Sequence, residues 1–213
     1  SKICNQPCCK NCPEKISLLE LEVAAVKYAE RKDPIKFNVT GKKAKVAIIG
    51  GGLSGMACAH RLATRKYNVT VFEKKTSIGG SLKELIDEKD LKDEFDLQFK
   101  YLKYELKANH EINTLDDLDF DAVYVATGKN GNDFGLLESW DSKSLATSRK
   151  GVFLGGKITG CNDMEAIMHG MIAAASIEKY IQVGRMDGQP ETFYNPSCKI
   201  PVEQNDSAQA VVP

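Results

Sequence analysis

Short apolar runs alternate along the chain with segments of helical periodicity. The runs occupy residues 45–50, 68–73, 121–127 and 151–155. They show almost no alternation with polar residues, which is typical of parallel strands covered on both faces. Helices are predicted at about 53–66, directly after the first run, and at about 163–181, after the last. This order predicts an α/β fold with a Rossmann-type parallel sheet.

The segment between the second and third runs is rich in lysine. Its apolar residues recur at three- and four-residue steps, namely Leu91, Phe95, Phe99, Leu102 and Leu106. This spacing places them on one face of a helix within about 83–108. We therefore predict a helical face that packs on the core beneath a charged, solvated surface.

Composition excludes several classes of protein. Hydrophobic residues make up 42% and charged residues 27% of the 213, as in ordinary globular proteins. The 29 basic residues balance the 29 acidic ones, so the excess of positive charge typical of nucleic-acid binders is absent. No apolar stretch approaches the roughly 18 residues of a membrane span. No secretion signal is recognisable, and a cytoplasmic location is expected.

Three glycines follow the first predicted strand with the spacing G-x-G-x-x-G. In this pattern Gly50 permits a tight turn, Gly52 lets the backbone approach a diphosphate, and Gly55 allows close packing of helix on strand. The diphosphate then lies at the helix N-terminus, where free N–H groups favour negative charge. The motif predicts a dinucleotide site because it lies between a strand and a helix.

An acidic residue completes this pattern. Glu73 follows Gly50 by 23 positions and ends the second predicted strand, where a carboxylate accepts hydrogen bonds from an adenosine ribose. The alternative interpretation is a purely structural glycine turn with a solvated glutamate. The dinucleotide interpretation is preferred because strand, loop, helix, strand and acid occur in the required order.

Three further motifs resemble a known family. They are Gly79-Gly80-Ser81-Leu82 shortly after Glu73, the strand 121–126 ending in Thr127-Gly128, and 151–156 with its double glycine before the last helix. Their order is similar to that of the FAD-binding domain of two-dinucleotide-binding flavoprotein reductases. The resemblance implies that FAD is the dinucleotide and that the last helix points its N-terminus at the flavin ring. The implied cofactor-binding residues are Gly50, Gly52, Leu53, Ser54, Gly55, Glu73, Lys74, Gly80, Ser81, Leu82, Thr127, Gly128, Gly156, Lys157 and Met164.

A cysteine-rich segment narrows the resemblance. Cys4, Cys8 and Cys12 have the spacing C-x₃-C-x₃-C, followed by a predicted helix to about Arg31 and a linker. This arm resembles the glutamate synthase small subunit and the N-terminal half of dihydropyrimidine dehydrogenase, where it supplies ligands to a [4Fe–4S] cluster. Since four ligands are usual, the fourth must come from outside this segment. Cys9 adjoins Cys8 and is not expected to serve the same cluster. A zinc site or unligated thiols are the alternatives.

The chain departs from this family in two further respects. Only 22 residues, 129–150, separate Gly128 from Gly151, where family members insert an NAD(P)H-binding domain. Even one βαβ unit takes about 30 residues, so no nicotinamide site is expected. Lys157 replaces an aspartate that hydrogen-bonds the ribityl chain in the family, and lysine offers no acceptor. FAD is then held differently, more weakly, or in an altered electrostatic environment.

These observations predict three segments and one function. The segments are a cysteine-rich helical arm and linker (1–43), an FAD-binding Rossmann-type domain (44–183) and an extended tail (184–213). The predicted function is an FAD-containing electron-transfer subunit that relays electrons between flavin and an iron–sulfur cluster, with the substrate site on a partner. Expected partners are other subunits of a redox complex and an iron–sulfur or ferredoxin-like protein. The alternative is a structural subunit with a degenerate nucleotide fold.

Overall fold

Within the described part of the chain, the sheet has five strands, all parallel, in the order β3-β2-β1-β4-β5. A computed structural model describes residues 6–36 and 38–188. The strands are β1 (Lys45–Ile49), β2 (Asn68–Phe72), β3 (Glu105–Lys107), β4 (Ala122–Val125) and β5 (Val152–Leu154). The α-helices are α1 (Pro7–Lys10), α2 (Leu18–Tyr28), α3 (Leu53–Thr64), α4 (Glu88–Gln98) and α5 (Asp163–Val183). The predicted α/β fold with a Rossmann-type sheet is confirmed.

Each face of the sheet carries its own core. Successive side chains of a strand point to opposite faces, so Val46 and Ile48 of β1 lie on one side and Ala47 and Ile49 on the other. The first side is covered by α3 and α5. The second is covered by side chains of irregular segments, among them Leu115 and Leu136. Both faces of the sheet are therefore shielded from water, which explains the unbroken apolar runs in the sequence.

α3 and α5 approach one another closely because α5 has a glycine at their contact. A Cβ atom on Gly170 would lie 2.3 Å from the Ser54 carbonyl oxygen and 2.8 Å from the Ala57 Cβ. Only a residue without a side chain allows this approach. The contact fixes the N-terminal end of α5 beside the loop that follows β1.

The prediction of a single helical stripe over 83–108 is wrong at its C-terminal end. α4 ends at Gln98, and Leu106 lies in β3 with 39% of its surface exposed. β3 pairs with β2 through Val71 and Leu106 at the edge of the sheet. This pairing between distant residues overrides the local periodicity.

The N-terminal arm forms two helices outside the core. α2 is shorter than the predicted helix ending near Arg31 and has no buried residue, so Leu21, Val23 and Val26 are exposed. The chain then rejoins the domain at Lys42, whose Nζ lies 2.9 Å from Glu178 Oε1 of α5. Of the predicted tail, residues 189–213 lie outside the described residues, and the three segment boundaries remain a prediction.

None of the helices within 6–36 and 38–188 combines the length and the apolar character needed to cross a lipid bilayer.

Candidate dinucleotide site

A cleft of about 500 Å³ opens at the carboxyl ends of β1, β2 and β4. β1 lies between the other two strands, so the loops that leave all three converge there. In open parallel sheets this is the edge at which ligands bind. The volume is within the usual range for small-molecule sites, about 300–1,000 Å³.

The three glycines of the first loop have different surroundings. Gly50 has φ +109°, and a Cβ atom there would lie 2.3 Å from the Ala126 carbonyl oxygen. A Cβ atom on Gly55 would lie 1.9 Å from the Gly50 carbonyl oxygen, so this glycine serves helix–strand packing. The nearest atom to a Cβ on Gly52 is the Gly80 Cα, 4.0 Å away. Gly52 thus leaves bare backbone at the cleft.

The N-terminus of α3 faces the cleft with unsatisfied donors. Gly52 is the N-cap residue, and no side chain caps the helix. The first N–H groups of a helix lack intrahelical acceptors and carry the positive end of its dipole. Leu53 and Ser54, the first two helical residues, line the cleft. This end of α3 is therefore suited to bind a diphosphate.

Glu73 is a buried residue that holds the loops together. Its Oε2 accepts a hydrogen bond from the Gly51 N–H at 2.8 Å, and its Oε1 accepts one from the Lys75 N–H at 2.8 Å. Only 7% of the residue is exposed. The alternative of a solvated glutamate is therefore wrong. Each carboxylate oxygen has a second lone pair, so the cleft-lining carboxylate remains able to accept a ribose hydroxyl.

A 3₁₀ turn at Gly80–Glu84 forms a second wall. It is tied to the glycine loop because the Gly79 N–H donates to the Gly51 carbonyl at 2.7 Å. Gly80 and Ser81 line the cleft, as do Thr127 and Gly128 after β4. The predicted motifs, which are up to 78 positions apart between Gly50 and Gly128, thus meet at one site.

Lys157 spans the cleft from the end of β5. Its Nζ lies 2.8 Å from Ser81 Oγ and 2.6 Å from Asp163 Oδ1, the latter on the first residue of α5. About a quarter of the lysine side chain and a fifth of the aspartate side chain are exposed. The ammonium therefore compensates a largely buried carboxylate. A cation accordingly stands where the family resemblance implies an aspartate.

Two polar groups, the buried Tyr124 and the half-buried His169, support the loops from below. Tyr124 OH and Ser54 Oγ are 2.7 Å apart, and burial raises the pKa of this phenol well above its usual value. His169 Nδ1 accepts a hydrogen bond from the Gly156 N–H at 3.0 Å. Burial lowers the pKa of His169, which keeps the imidazole neutral as this hydrogen bond requires. Both groups hold backbone in place and neither lines the cleft.

Most of the predicted cofactor residues meet at the cleft. Its lining includes Gly50, Gly52, Leu53, Ser54, Glu73, Lys74, Gly80, Ser81, Thr127, Gly128 and Lys157. Four predicted residues are outside the lining, namely Gly55, Leu82, Gly156 and Met164. Leu82 is 4% exposed within the core, while Met164 is 43% exposed on α5. A Cβ atom on Gly156 would lie 2.7 Å from the Ser54 Cβ, so this glycine permits close packing. Contact of any of the fifteen predicted residues with a dinucleotide remains a prediction.

Sequence reasoning missed several residues of the cleft. The additional lining residues are Lys75, Glu84, Ala126, Lys129, Asn130, Gly131 and Ala166. A smaller pocket of about 60 Å³ adjoins it and includes His110 and Ile112 beyond β3. Lys75, Ala126 and residues 129–131 lie just after a strand, whereas Glu84 lies in the 3₁₀ turn and Ala166 in α5. Their shared place in the cleft follows from the packing of these elements. Lys74, Lys75 and Lys129 add positive charge at the mouth, which favours a phosphorylated ligand.

The cysteine arm is partly described. Cys8 is exposed, whereas Cys9 and Cys12 are half-buried; Cys4 lies outside the described residues. Cys9 Sγ accepts a hydrogen bond from the Leu19 N–H of α2 at 3.4 Å. No group of three or more metal-ligating side chains is assembled within the described part of the chain.

Comparison with known proteins is consistent with a nucleotide-binding site in this cleft. Residues 48–109, which include the glycine loop and Glu73, match the NAD(P)-binding Rossmann-like domain family. The small chain of glutamate synthase [NADPH] from Escherichia coli is 36% identical over 124 residues, which are 54% of this chain and 26% of that one. Bilirubin reductase from Mediterraneibacter gnavus is 31% identical over 105 residues, 48% of this chain and 16% of that one.

Among solved structures, histamine dehydrogenase from Rhizobium sp. 4-9 aligns with a TM-score of 0.38 and 26% identity, covering 45% of this chain and 15% of that one. The chain spans about a quarter or less of the length of the two curated relatives described above. The predicted relationship to the glutamate synthase small chain is confirmed, and the named relatives are oxidoreductases.

Proposed function

Because this chain carries a Rossmann-like domain related to that of the glutamate synthase small chain, we propose that it is an FAD-containing electron-transfer subunit of an oxidoreductase. In this proposal it relays electrons between flavin and an iron–sulfur cluster, while a partner provides the substrate or nicotinamide site. The observation that carries the proposal is the convergence of the glycine loop, Glu73, Gly80 and Thr127-Gly128 on one cleft.

The bare backbone of the cleft fits a dinucleotide. Gly52 and Gly80 face one another without side chains, since a Cβ on Gly80 would lie 3.1 Å from the Gly52 Cα. A diphosphate would lie against this backbone at the uncapped N-terminus of α3, of which Gly52 is the N-cap. Glu73 then accepts the ribose hydroxyl, and Lys74 and Lys75 face solvent beside it.

Bound FAD would supply reversible exchange of one or two electrons, a chemistry that no amino-acid side chain provides. The residues of this chain bind it and set its electrostatic surroundings. The Lys157 ammonium would meet it as a hydrogen-bond donor, opposite in charge to the aspartate of the family. Asp163 keeps that ammonium in place at the N-terminal end of α5.

Residues 129–150 support the need for a hydride donor on another chain. They contain only a 3₁₀ turn at Leu137–Ser139 and an isolated bridge from Ala146 to Phe153. Leu136 and Leu145 of this segment are buried in the two cores. The segment is a connector that covers the sheet, and it is too short for a second nucleotide domain.

The proposed iron–sulfur cluster depends on the cysteines of the N-terminal arm. Cys8 and Cys12 would be ligands together with Cys4 and one ligand from outside the segment, because a [4Fe–4S] centre usually takes four. Cys9 adjoins Cys8 and is not expected to serve the same cluster.

The test is a visible spectrum of the anaerobically purified full chain, followed by release and quantitation of flavin, iron and sulfide. We expect one FAD per chain. We also expect iron and sulfide when a partner protein supplies the missing cluster ligand. With NADPH as the only reductant, the isolated chain should leave the flavin oxidised.

Gly52→Ala serves as the matched variant and should lose FAD, since Gly52 lines the cleft and the added methyl group would lie no closer than 4.0 Å to its nearest neighbour, the Gly80 Cα. A wild-type chain that binds no FAD under any of these conditions would overturn the proposal in favour of a structural subunit. Rapid reduction by NADPH in the absence of a partner would contradict the assignment of the donor site to another chain.

A further inference from the structure

The arm holds a pair of thiols that the proposed cluster does not use together. Cys9 lies in α1, and Cys12 lies two residues beyond its end. The Cys12 N–H donates to the Cys9 carbonyl at 3.4 Å, which closes a four-residue turn. Turns of this kind bring their first and fourth Cα atoms within about 7 Å. Disulfides span Cα–Cα distances of about 4.4–6.8 Å, so the turn is compatible with one.

α2 fixes the position of one sulfur. The Leu19 N–H of its first turn donates to Cys9 Sγ at 3.4 Å, and Ser17, the N-cap residue, provides no side-chain acceptor. The sulfur therefore takes the role of the missing cap and stays beside the turn. Cys8, its neighbour, is exposed to solvent, and its thiol is within hydrogen-bonding reach of the Cys9 thiol. The half-buried Cys9 and Cys12 are still reachable by a small reagent.

We propose that Cys9 and Cys12 form a reversible dithiol–disulfide pair. The oxidant is a low-molecular-weight disulfide such as oxidised glutathione. The sulfur of one cysteine attacks it and releases one glutathione, leaving a mixed disulfide. The second cysteine then attacks the protein sulfur of that mixed disulfide and releases the other glutathione. The two cysteines lose two protons and two electrons, and the oxidant gains them.

This pair controls whether Cys12 is available to iron. A cysteine ligand of an iron–sulfur cluster binds as a thiolate, whereas a sulfur in a disulfide is not a thiolate. Oxidation of the pair therefore removes one of the three predicted ligands. This consequence rests on the proposed function, while the pairing itself does not.

The experiment equilibrates the full chain in glutathione buffers of graded ratio, blocks free thiols and digests with trypsin. Lys10 lies between the two cysteines, so cleavage after it separates them unless a disulfide joins the two peptides. We expect joined peptides by mass spectrometry in the wild type and in the controls Cys4→Ser and Cys8→Ser. Cys9→Ser should abolish them and leave Cys12 bound to glutathione.

Joined peptides that persist in Cys9→Ser would assign the bond to Cys4 or Cys8 and overturn the pairing. Single glutathione adducts without joined peptides in the wild type would overturn it as well. To test whether the disulfide blocks cluster assembly, iron and sulfide are added anaerobically in the presence of the partner that supplies the remaining ligand. The disulfide form should take up no cluster and regain uptake after reduction. If a chain that forms the Cys9–Cys12 disulfide takes up no cluster even after reduction, the proposed cluster is contradicted and the pairing still holds.

Discussion

The Glu73 carboxylate lies 2.8 Å from the backbone nitrogen of Gly51, so the end of β2 holds the loop that follows β1. The acid of the dinucleotide pattern therefore has a structural task besides contact with a ligand. A second bond from the same carboxylate to the Lys75 N–H fixes the chain that leaves β2. Preorganisation of two loops by one side chain reduces the ordering that a ligand must impose.

Replacement of Glu73 should therefore affect both stability and binding. Glu73→Ala leaves the buried Gly51 N–H without its acceptor, which costs about 1–3 kcal/mol of unfolding free energy. FAD affinity should fall by about tenfold or more, equivalent to about 1.4 kcal/mol for the lost ribose contact. Urea unfolding and flavin fluorescence titration measure the two effects. Glu138→Gln, at an exposed glutamate outside the cleft lining, is the matched control and should change neither.

Two glycines of one loop should respond differently to the same substitution. Gly52→Ala should leave unfolding within about 0.5 kcal/mol of wild type, as for a substitution that creates no clash, yet weaken FAD binding strongly. Gly55→Ala forces a methyl group onto the Gly50 carbonyl and should cost at least about 1–3 kcal/mol by overpacking. Thermal unfolding and FAD titration of both variants make the comparison. Equal loss of stability in both would contradict the assignment of Gly52 to the ligand.

The interaction free energy between Lys157 and Asp163 should be measurable in a double-mutant cycle. Lys157→Met leaves a largely buried carboxylate without its cation, at a cost of about 1–3 kcal/mol, reduced from that of a fully buried pair by partial solvent screening. The double variant with Asp163→Asn should recover most of that loss. Urea unfolding at pH 7 measures the cycle. Strict additivity of the two changes would show that the pair contributes nothing.

Stability should depend on histidine protonation in mildly acidic solution. Burial lowers the pKa values of His60 and His169 below the ordinary 6.5. The unfolded chain then binds protons before the folded chain does, so the stabilisation is complete above about pH 6.5 and is lost as the pH falls toward the folded-state values. His169→Gln keeps an acceptor for the Gly156 N–H and removes the titration. Its unfolding free energy should vary less between about pH 5 and 6.5 than that of wild type. If the unfolding free energy of His169→Gln depends on pH as steeply as that of wild type, protonation of His169 is not the cause of the pH dependence.

Local patterns were sufficient for the fold class and for most of the cleft. Unbroken apolar runs identify parallel strands because both faces of each strand are buried, and the glycine spacing follows from backbone geometry within one turn. Periodicity failed at Leu106, because pairing with β2 rather than local spacing decided its conformation. The sequence also left Glu73 open to a solvated interpretation, which its two backbone hydrogen bonds exclude.

Other features depended on contacts between residues that are distant in the chain. The partner of Lys157 could not be deduced from its type, because Ser81 lies 76 positions away in another wall of the cleft. Lys129 belongs to the cleft because the strand order places β4 beside β1, and Ala166 belongs to it because α5 packs on α3. Hydrophobic periodicity and turn chemistry act over a few residues, and they determine the elements of this protein. The strand order and the close approach of helices at Gly170 determine which loops share a site, and these arise only when the whole chain packs.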